Sequence, residues 1–264
     1  MENYIVSIYF FSFLFYLLSL FLKLKFFSKI ALWFLILGFL GNIYLIIQHF
    51  LSTHRLPLTD TSETLLSAVT IVVFIFFTLE FGSAFSERKR QLKTMGLWVS
   101  LISLLGLISY SWLLKKPVMP LLPALQSKWL VFHVSSCIVA YCLFIISFIA
   151  AIIYLVKKYP QAPQGISLSR LYHRCICLGF FLLTLGIILG SIWGKSAWGH
   201  WWNWDPKEVW ALISWSIYCL YFYGRLWAGW SEKKLSWIAI LGFLSCLFTY
   251  LGVNFLLKGL HSYA

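Results

Sequence analysis

About eight times along this 264-residue chain, an apolar run of roughly 18 residues or more recurs. That repetition restricts the fold more than any motif does. A backbone crossing hydrocarbon must satisfy its own N–H and C=O groups, so only helices or a closed barrel can cross. The runs lack the polar–apolar alternation of barrel strands, so the fold class expected is an all-α polytopic membrane protein. Candidate spans fall at about 4–22, 30–50, 62–82, 95–114, 130–156, 175–193, 209–226 and 235–256, with boundaries good to about 2–4 residues. The first run lacks a basic n-region and a small-residue cleavage site, which reads as a span and not a removable signal. No separate soluble domain and no internal repeat is visible, so residues 1–264 are expected to form a single membrane domain.

The basic residues orient the spans. Segments 23–29, 83–93, 157–174 and 225–234 hold 14 of the 21 Lys and Arg, which places them in the cytoplasm. Both termini and the 51–61, 115–129 and 194–208 segments are then expected outside. A net charge of +13 reflects this asymmetry and gives no support for nucleic-acid binding.

One external stretch stands apart. Trp198 to Trp215 reads WGHWWNWDPKEVWALISW and holds six tryptophans in 18 residues. An interfacial aromatic belt accounts for one to three of them. It does not account for a loop made almost wholly of indoles, whose flat faces suit a planar hydrophobic ligand. Asp205-Pro206-Lys207-Glu208 has the form of a helix start, with Asp205 as N-cap, Pro206 at the first helical position and Glu208 closing a capping box. Trp198 to Trp204 is therefore predicted as loop and Val209 onward as helix.

Histidines gather on the same side. His54, His133, His200 and His261 fall at or near the external face, while His49 lies just inside it. His173 falls in a cytoplasmic segment and reads as solvated. Taken alone, each external histidine reads as an interfacial residue bonded to backbone or water. Taken together, His133 and His261 flank the Trp stretch in sequence, and two neutral imidazoles on opposite sides of a flat ligand would make an axial pair for a heme iron. Lys128, Lys195, Lys207 or Lys258 could meet propionates. The six cysteines all fall in spans and include no CxxC or CxxCH, so they read as small buried hydrophobes. Gly186 and Gly190 form a small-xxx-small pair that predicts close helix packing.

WGHWWNWDPKEVWALISW resembles the WWD signature of heme-handling membrane proteins. With LQSKWLVFHVSSCIVAY (125–141), FTYLGVNFLLKGLHSY (248–263), LPLTDTSETL (56–65) and RLYHRCICLGFFLLTLGIILGSIW (170–193), it is similar to the CcsA (ResC) family of system II cytochrome c synthases. The likeness covers most of residues 54–263, and the first fifty residues agree only in hydropathy. It implies that His133 and His261 are the external axial ligands. Trp198, Gly199, Trp202, Trp204, Asp205 and Glu208 take signature positions, with Trp201 and His200 as further pocket contacts. The family takes heme from the cytoplasm, holds it outside, and attaches it through two thioethers to CxxCH apocytochromes as part of a cytochrome c heme lyase. The resemblance implies heme b as the group handled. Partners implied are a CcsB/ResB-type membrane subunit, apocytochrome c and a thiol-reducing protein, in the bacterial cytoplasmic membrane with the heme site facing the periplasm or exterior. One departure is that family members usually carry a histidine where this chain has Tyr223. Tyr223 is thus a candidate intramembrane ligand or an interfacial belt residue. Two other readings share this architecture: a HemX-like regulator or scaffold of tetrapyrrole synthesis, and a CcmC-like heme delivery protein.

Overall fold

The computed structural model describes residues 2–82, 89–113, 123–156, 168–257 and 259, and the described residues contain helices and no strand. The chain divides into two compact units, Met1–Val118 and Met119–Ala264.

The first unit contains α1 (Glu2–Phe21), α2 (Lys25–Thr53), α3 (Thr61–Phe81) and α4 (Lys89–Leu113). Lys23 adopts a left-handed φ of 57° at the break between α1 and α2, and His54 (φ 54°) ends α2 the same way. Polar groups inside this unit are bonded in ways the apolar pattern does not reveal. Asn42 of α2 donates to the Tyr9 hydroxyl of α1 at 2.9 Å. Asp60 caps α3 by accepting from the Glu63 amide at 2.8 Å. The buried Glu63 carboxylate then takes both Arg55 guanidinium nitrogens, at 2.8 and 2.7 Å. Such a bidentate pair restrains the segment between α2 and α3.

The second unit contains a short 3-10 turn (Pro123–Gln126), α5 (Lys128–Val156), α6 (Leu168–Trp198), α7 (Pro206–Leu226) and α8 (Glu232–Leu247). A π turn (Phe248–Gly252) continues α8 into the four-residue α9 (Val253–Leu256). Glycine lets α6 lie close against α5. A Cβ at Gly179 would come within 2.6 Å of the Phe144 ring, and one at Gly186 within 2.6 Å of Cys137 Sγ. The close packing predicted from Gly186 and Gly190 is present, and Gly179 extends it.

Seven helices among the described residues are long and apolar enough to cross a membrane. The expected span at 209–226 forms α7 but is not one of the seven. Its length of 21 residues equals that of α3. Its sequence carries Lys207, Glu208, Arg225 and several Ser, Tyr and Trp, which lower its hydropathy. Several of these groups are bonded within the unit. Ser214 Oγ lies 2.8 Å from Ser245 Oγ. Trp215 donates to Thr184 Oγ1 at 2.9 Å. The Tyr218 ring stacks on Phe144 at 4.0 Å. Helix α6 also overruns its predicted span at both ends, so that Trp198 is its last helical residue and not part of the loop. The six cysteines are free and lie in helices, as expected.

Candidate functional site

The segment joining α6 to α7 is held by its own charged residues. Gly199 turns the chain out of α6 with φ +82°, a conformation that disfavours any side chain even though nothing would meet a Cβ there. Lys195 reaches forward one turn and donates to the Gly199 carbonyl at 2.8 Å. At the other end, Asp205 Oδ1 accepts from the Lys207 amide at 3.0 Å. Glu208 Oε2 accepts from the Asn203 amide at 2.8 Å and the Asp205 amide at 3.3 Å. The capping box predicted from Asp205 and Glu208 is present, and the glutamate does more than close it, since it also holds Asn203. Between these anchors Trp204 adopts φ +56°. A bulky residue rarely occupies the left-handed region, and strain of this kind is held only where the surroundings enforce it.

The six tryptophans divide by task. Trp210 packs on Phe248 at 4.3 Å and Trp215 stacks on Phe180 at 5.5 Å, so both tie helices together. Trp198 meets the ring of Trp193 edge-on at 4.6 Å. Trp193 is 1% exposed and donates to the Ala124 carbonyl at 2.9 Å, which fixes the end of α6 to the turn before α5. Trp201 and Trp204, by contrast, are 57% and 71% exposed. Trp202 stands edge-on to Trp204 at 5.8 Å. Trp202 Nε1 and Asn203 Nδ2 are buried, and among the described residues neither finds an acceptor. An orphaned buried donor is unfavourable by about 1–3 kcal/mol. The loop thus combines two exposed indoles with two buried donors. His200 is exposed on the same loop.

His133 enters from α5. Its Nδ1 lies 2.7 Å from the Gly186 carbonyl of α6. Its ring lies nearly parallel to Trp193, 13° apart with centroids at 6.2 Å. Trp193 therefore links His133 to Trp198 and the loop. A carbonyl only accepts, so Nδ1 carries the proton, and the lone pair of the neutral ring sits on Nε2. This is the arrangement that metal-binding histidines commonly show. Exposed indoles and a tautomer-fixed imidazole are groups that suit a metalloporphyrin.

The tail returns to the same corner. Lys207 Nζ donates to Asn254 Oδ1 of α9 at 2.8 Å, so this lysine points into the unit and not toward a propionate. A Cβ on Gly259 would collide with the Asp205 carboxylate. Gly259 stands two residues before His261, and both His261 and Lys258 lie outside the described residues.

At the opposite end of the unit, His173 proves not to be a solvated loop residue. It lies within α6, half-buried, with Nδ1 3.1 Å from the Tyr221 hydroxyl of α7 and Cys177 Sγ 3.5 Å from Nε2. The reason is the early start of α6, which makes residue 173 helical. Tyr223 is 54% exposed and meets Trp230 edge-on at 6.2 Å. Sequence reading missed Trp193, the histidine-facing role of Gly186 and Gly190, and Asn254. Only the four-residue spacing of the two glycines hinted at any of them.

These features define a polytopic helical membrane protein with a tryptophan-rich loop after α6 and, on α5, a histidine that packs near Trp193 of the same helix α6. The chain belongs to the cytochrome c assembly protein family, whose match covers residues 42–261 and so reaches into both units. It is similar to the cytochrome c biogenesis protein CcsA of Guillardia theta, with 38% identity over 237 residues covering 78% of this chain and 76% of that one. The CcsA of Prochlorococcus marinus (strain MIT 9215) shares 33% identity over 279 residues, covering 93% of this chain and 88% of the relative. That of Gloeobacter violaceus shares 31% over 283 residues, covering 83% and 81%. Membership makes the chain a component of cytochrome c biogenesis, in which heme is the group handled.

Proposed function

We propose that this chain is the heme-holding subunit of a system II holocytochrome c synthase. It binds heme b against Trp201, Trp202 and Trp204, with His133 and His261 as the two axial ligands. The observation that carries this reading is the bond from His133 Nδ1 to the Gly186 carbonyl, which leaves Nε2 as the ligating nitrogen. Gly259 against Asp205 supports His261 as the second ligand, because it brings the chain before that histidine to the foot of the Trp loop. Trp198, Gly199, Asp205 and Glu208 shape the shelf without touching iron, and His200 stands beside it.

The site faces the exterior or periplasmic side of a bacterial cytoplasmic membrane, and heme reaches it from the cytoplasm. Catalysis is mainly positioning: the shelf presents the vinyl edge to the paired thiols of a CxxCH apocytochrome, and each thiol adds its S–H across one vinyl group. A CcsB/ResB-type subunit and a thiol reductant complete the system. Residues 1–264 act as one assembly domain. Tyr223, exposed beside Trp230, serves as an interfacial aromatic.

The test is co-expression with a ResB-type subunit and an apocytochrome c, followed by a heme stain of the denatured cytochrome. Covalent heme that depends on this chain and on His133 supports the reading. Heme attachment that is unchanged without the chain overturns it, and so does chain-dependent attachment that needs no ResB-type subunit, as a CcmC-like delivery protein would give.

A further inference from the structure

Two positions on one face of α6 meet His133 in different ways: the Gly186 backbone carbonyl bonds its Nδ1, and Gly190 leaves room for its ring. We propose that Gly190 is a positioning residue that makes His133 a one-sided iron ligand, by leaving the space in which the ring bonds the backbone carbonyl of residue 186. The inference rests on the heme-holding reading above and deepens it.

The spacing of four places both glycines on the same helix face, one turn apart. Gly186 is buried, and its carbonyl lies 2.7 Å from His133 Nδ1. A carbonyl oxygen has two lone pairs, so a carbonyl in a helix can accept from a side chain as well as from the helix ladder. Because this acceptor is backbone, changing one side chain for another does not remove it. What a substitution can remove is access. A Cβ at Gly190 would lie 2.7 Å from both Cε1 and Nδ1 of His133, and 3.4 Å from Nε2. The added carbon therefore strikes the bonded side of the ring. Something must shift, and the imidazole is the softer partner, because the opposing atoms belong to a packed helix. Two groups flank the ring: Trp193 lies nearly parallel to it with centroids 6.2 Å apart, and Cys137 Sγ sits 3.8 Å from Nδ1 one turn further along α5. Displacement breaks the bond to Gly186, releases the tautomer and turns Nε2 away from its fixed direction. Glycine is unfavourable inside a helix, and at Gly190 the atoms that a side chain would meet are those of the His133 ring. Gly179 supplies the comparison. It meets α5 as closely as Gly190 does, at 2.6 Å from Phe144, with no histidine involved.

The experiment compares the purified full chain, from heme-replete cells, as wild type, Gly190→Ala, Gly179→Ala and His133→Ala. Heme per protein and the dithionite-reduced visible spectrum are read with and without millimolar imidazole. Loss of an orienting contact behind a metal ligand typically lowers affinity by roughly 10–100-fold. Gly190→Ala is expected to lose heme on that scale, or to lose the six-coordinate low-spin spectrum. Once hemin is added back to the variant, imidazole restores that spectrum, and Gly179→Ala matches wild type. The inference is overturned if Gly190→Ala keeps both the heme content and the spectrum of wild type, if Gly179→Ala loses heme to the same degree, or if imidazole fails to restore the six-coordinate spectrum of Gly190→Ala after hemin is added back. When any of these occurs while His133→Ala has lost its heme, the heme-holding reading stands and only the glycine seat falls. If His133→Ala itself keeps the wild-type spectrum, the reading falls and takes the inference with it.

Discussion

The two ends of the second unit are made of similar residues used in different ways. At one end, Trp198 to Glu208 exposes two indoles and buries two donors that find no acceptor among the described residues. At the other, Glu232 takes the Tyr172 hydroxyl and Arg225, the latter at 3.0 Å, while Tyr221 meets His173 and Lys234 lies 3.5 Å over the Trp230 ring. Each end has a histidine on a long helix with a cysteine one turn further on. His133 bonds a backbone carbonyl and so has its tautomer fixed. His173 bonds a hydroxyl, which can donate or accept, and leaves the tautomer open. The contrast separates an end that leaves indoles exposed from one whose side chains close the helices on each other.

Substitutions can break this comparison or sharpen it. The largest difference is expected between His133→Ala and His173→Ala. The first should lower heme content of the purified protein by about tenfold or more, and the second should leave it within twofold of wild type, both read by pyridine hemochrome. Equal losses would mean that the ends do not differ in the way described.

Next comes Glu208→Ala. It removes the acceptor of the Asn203 and Asp205 amides and should destabilise the loop end by about 1–3 kcal/mol. Heme content should fall several-fold, with most of it recovered in Glu208→Gln, whose amide oxygen can still accept. A Gln variant as poor as Ala would show that charge, and not the loop hydrogen bonds, is what matters.

Glu232→Ala tests the opposite end. It leaves Tyr172 and Arg225 without their carboxylate, and the melting temperature in detergent should drop by an amount corresponding to about 1–2 kcal/mol. Heme content should not change. The smallest effect on stability is expected for Trp204→Gly. Relief of the left-handed backbone is worth about 1 kcal/mol, so the melting temperature should hold or rise slightly while heme retention falls. A variant that melts earlier yet keeps its heme would remove Trp204 from the shelf.

Some of this site is legible in the sequence. Asp205-Pro206-Lys207-Glu208 is local chemistry: a capping carboxylate acts within three residues, so the pattern alone suffices. His173 shows the limit. Its neighbours Arg170 and Arg174 suggest a solvated segment, yet α6 begins at Leu168 and turns the histidine onto Tyr221. Lys207 shows another limit. Nothing near it in sequence points to Asn254, which lies 47 residues away on the far side of a π turn. That turn shifts the helix face that follows it, and hydropathy does not register such a shift.

The sequence by itself determined that the chain crosses a membrane as helices, because unsatisfied backbone cannot sit in lipid. It also determined where α7 starts, because capping is a contact between near neighbours. Which tryptophans are buried was decided by the tertiary structure, as were the approach of Gly190 to the His133 ring and the return of Gly259 to Asp205. Each of these depends on how two distant helices pass one another, and side-chain volumes settle that only once the helices are packed.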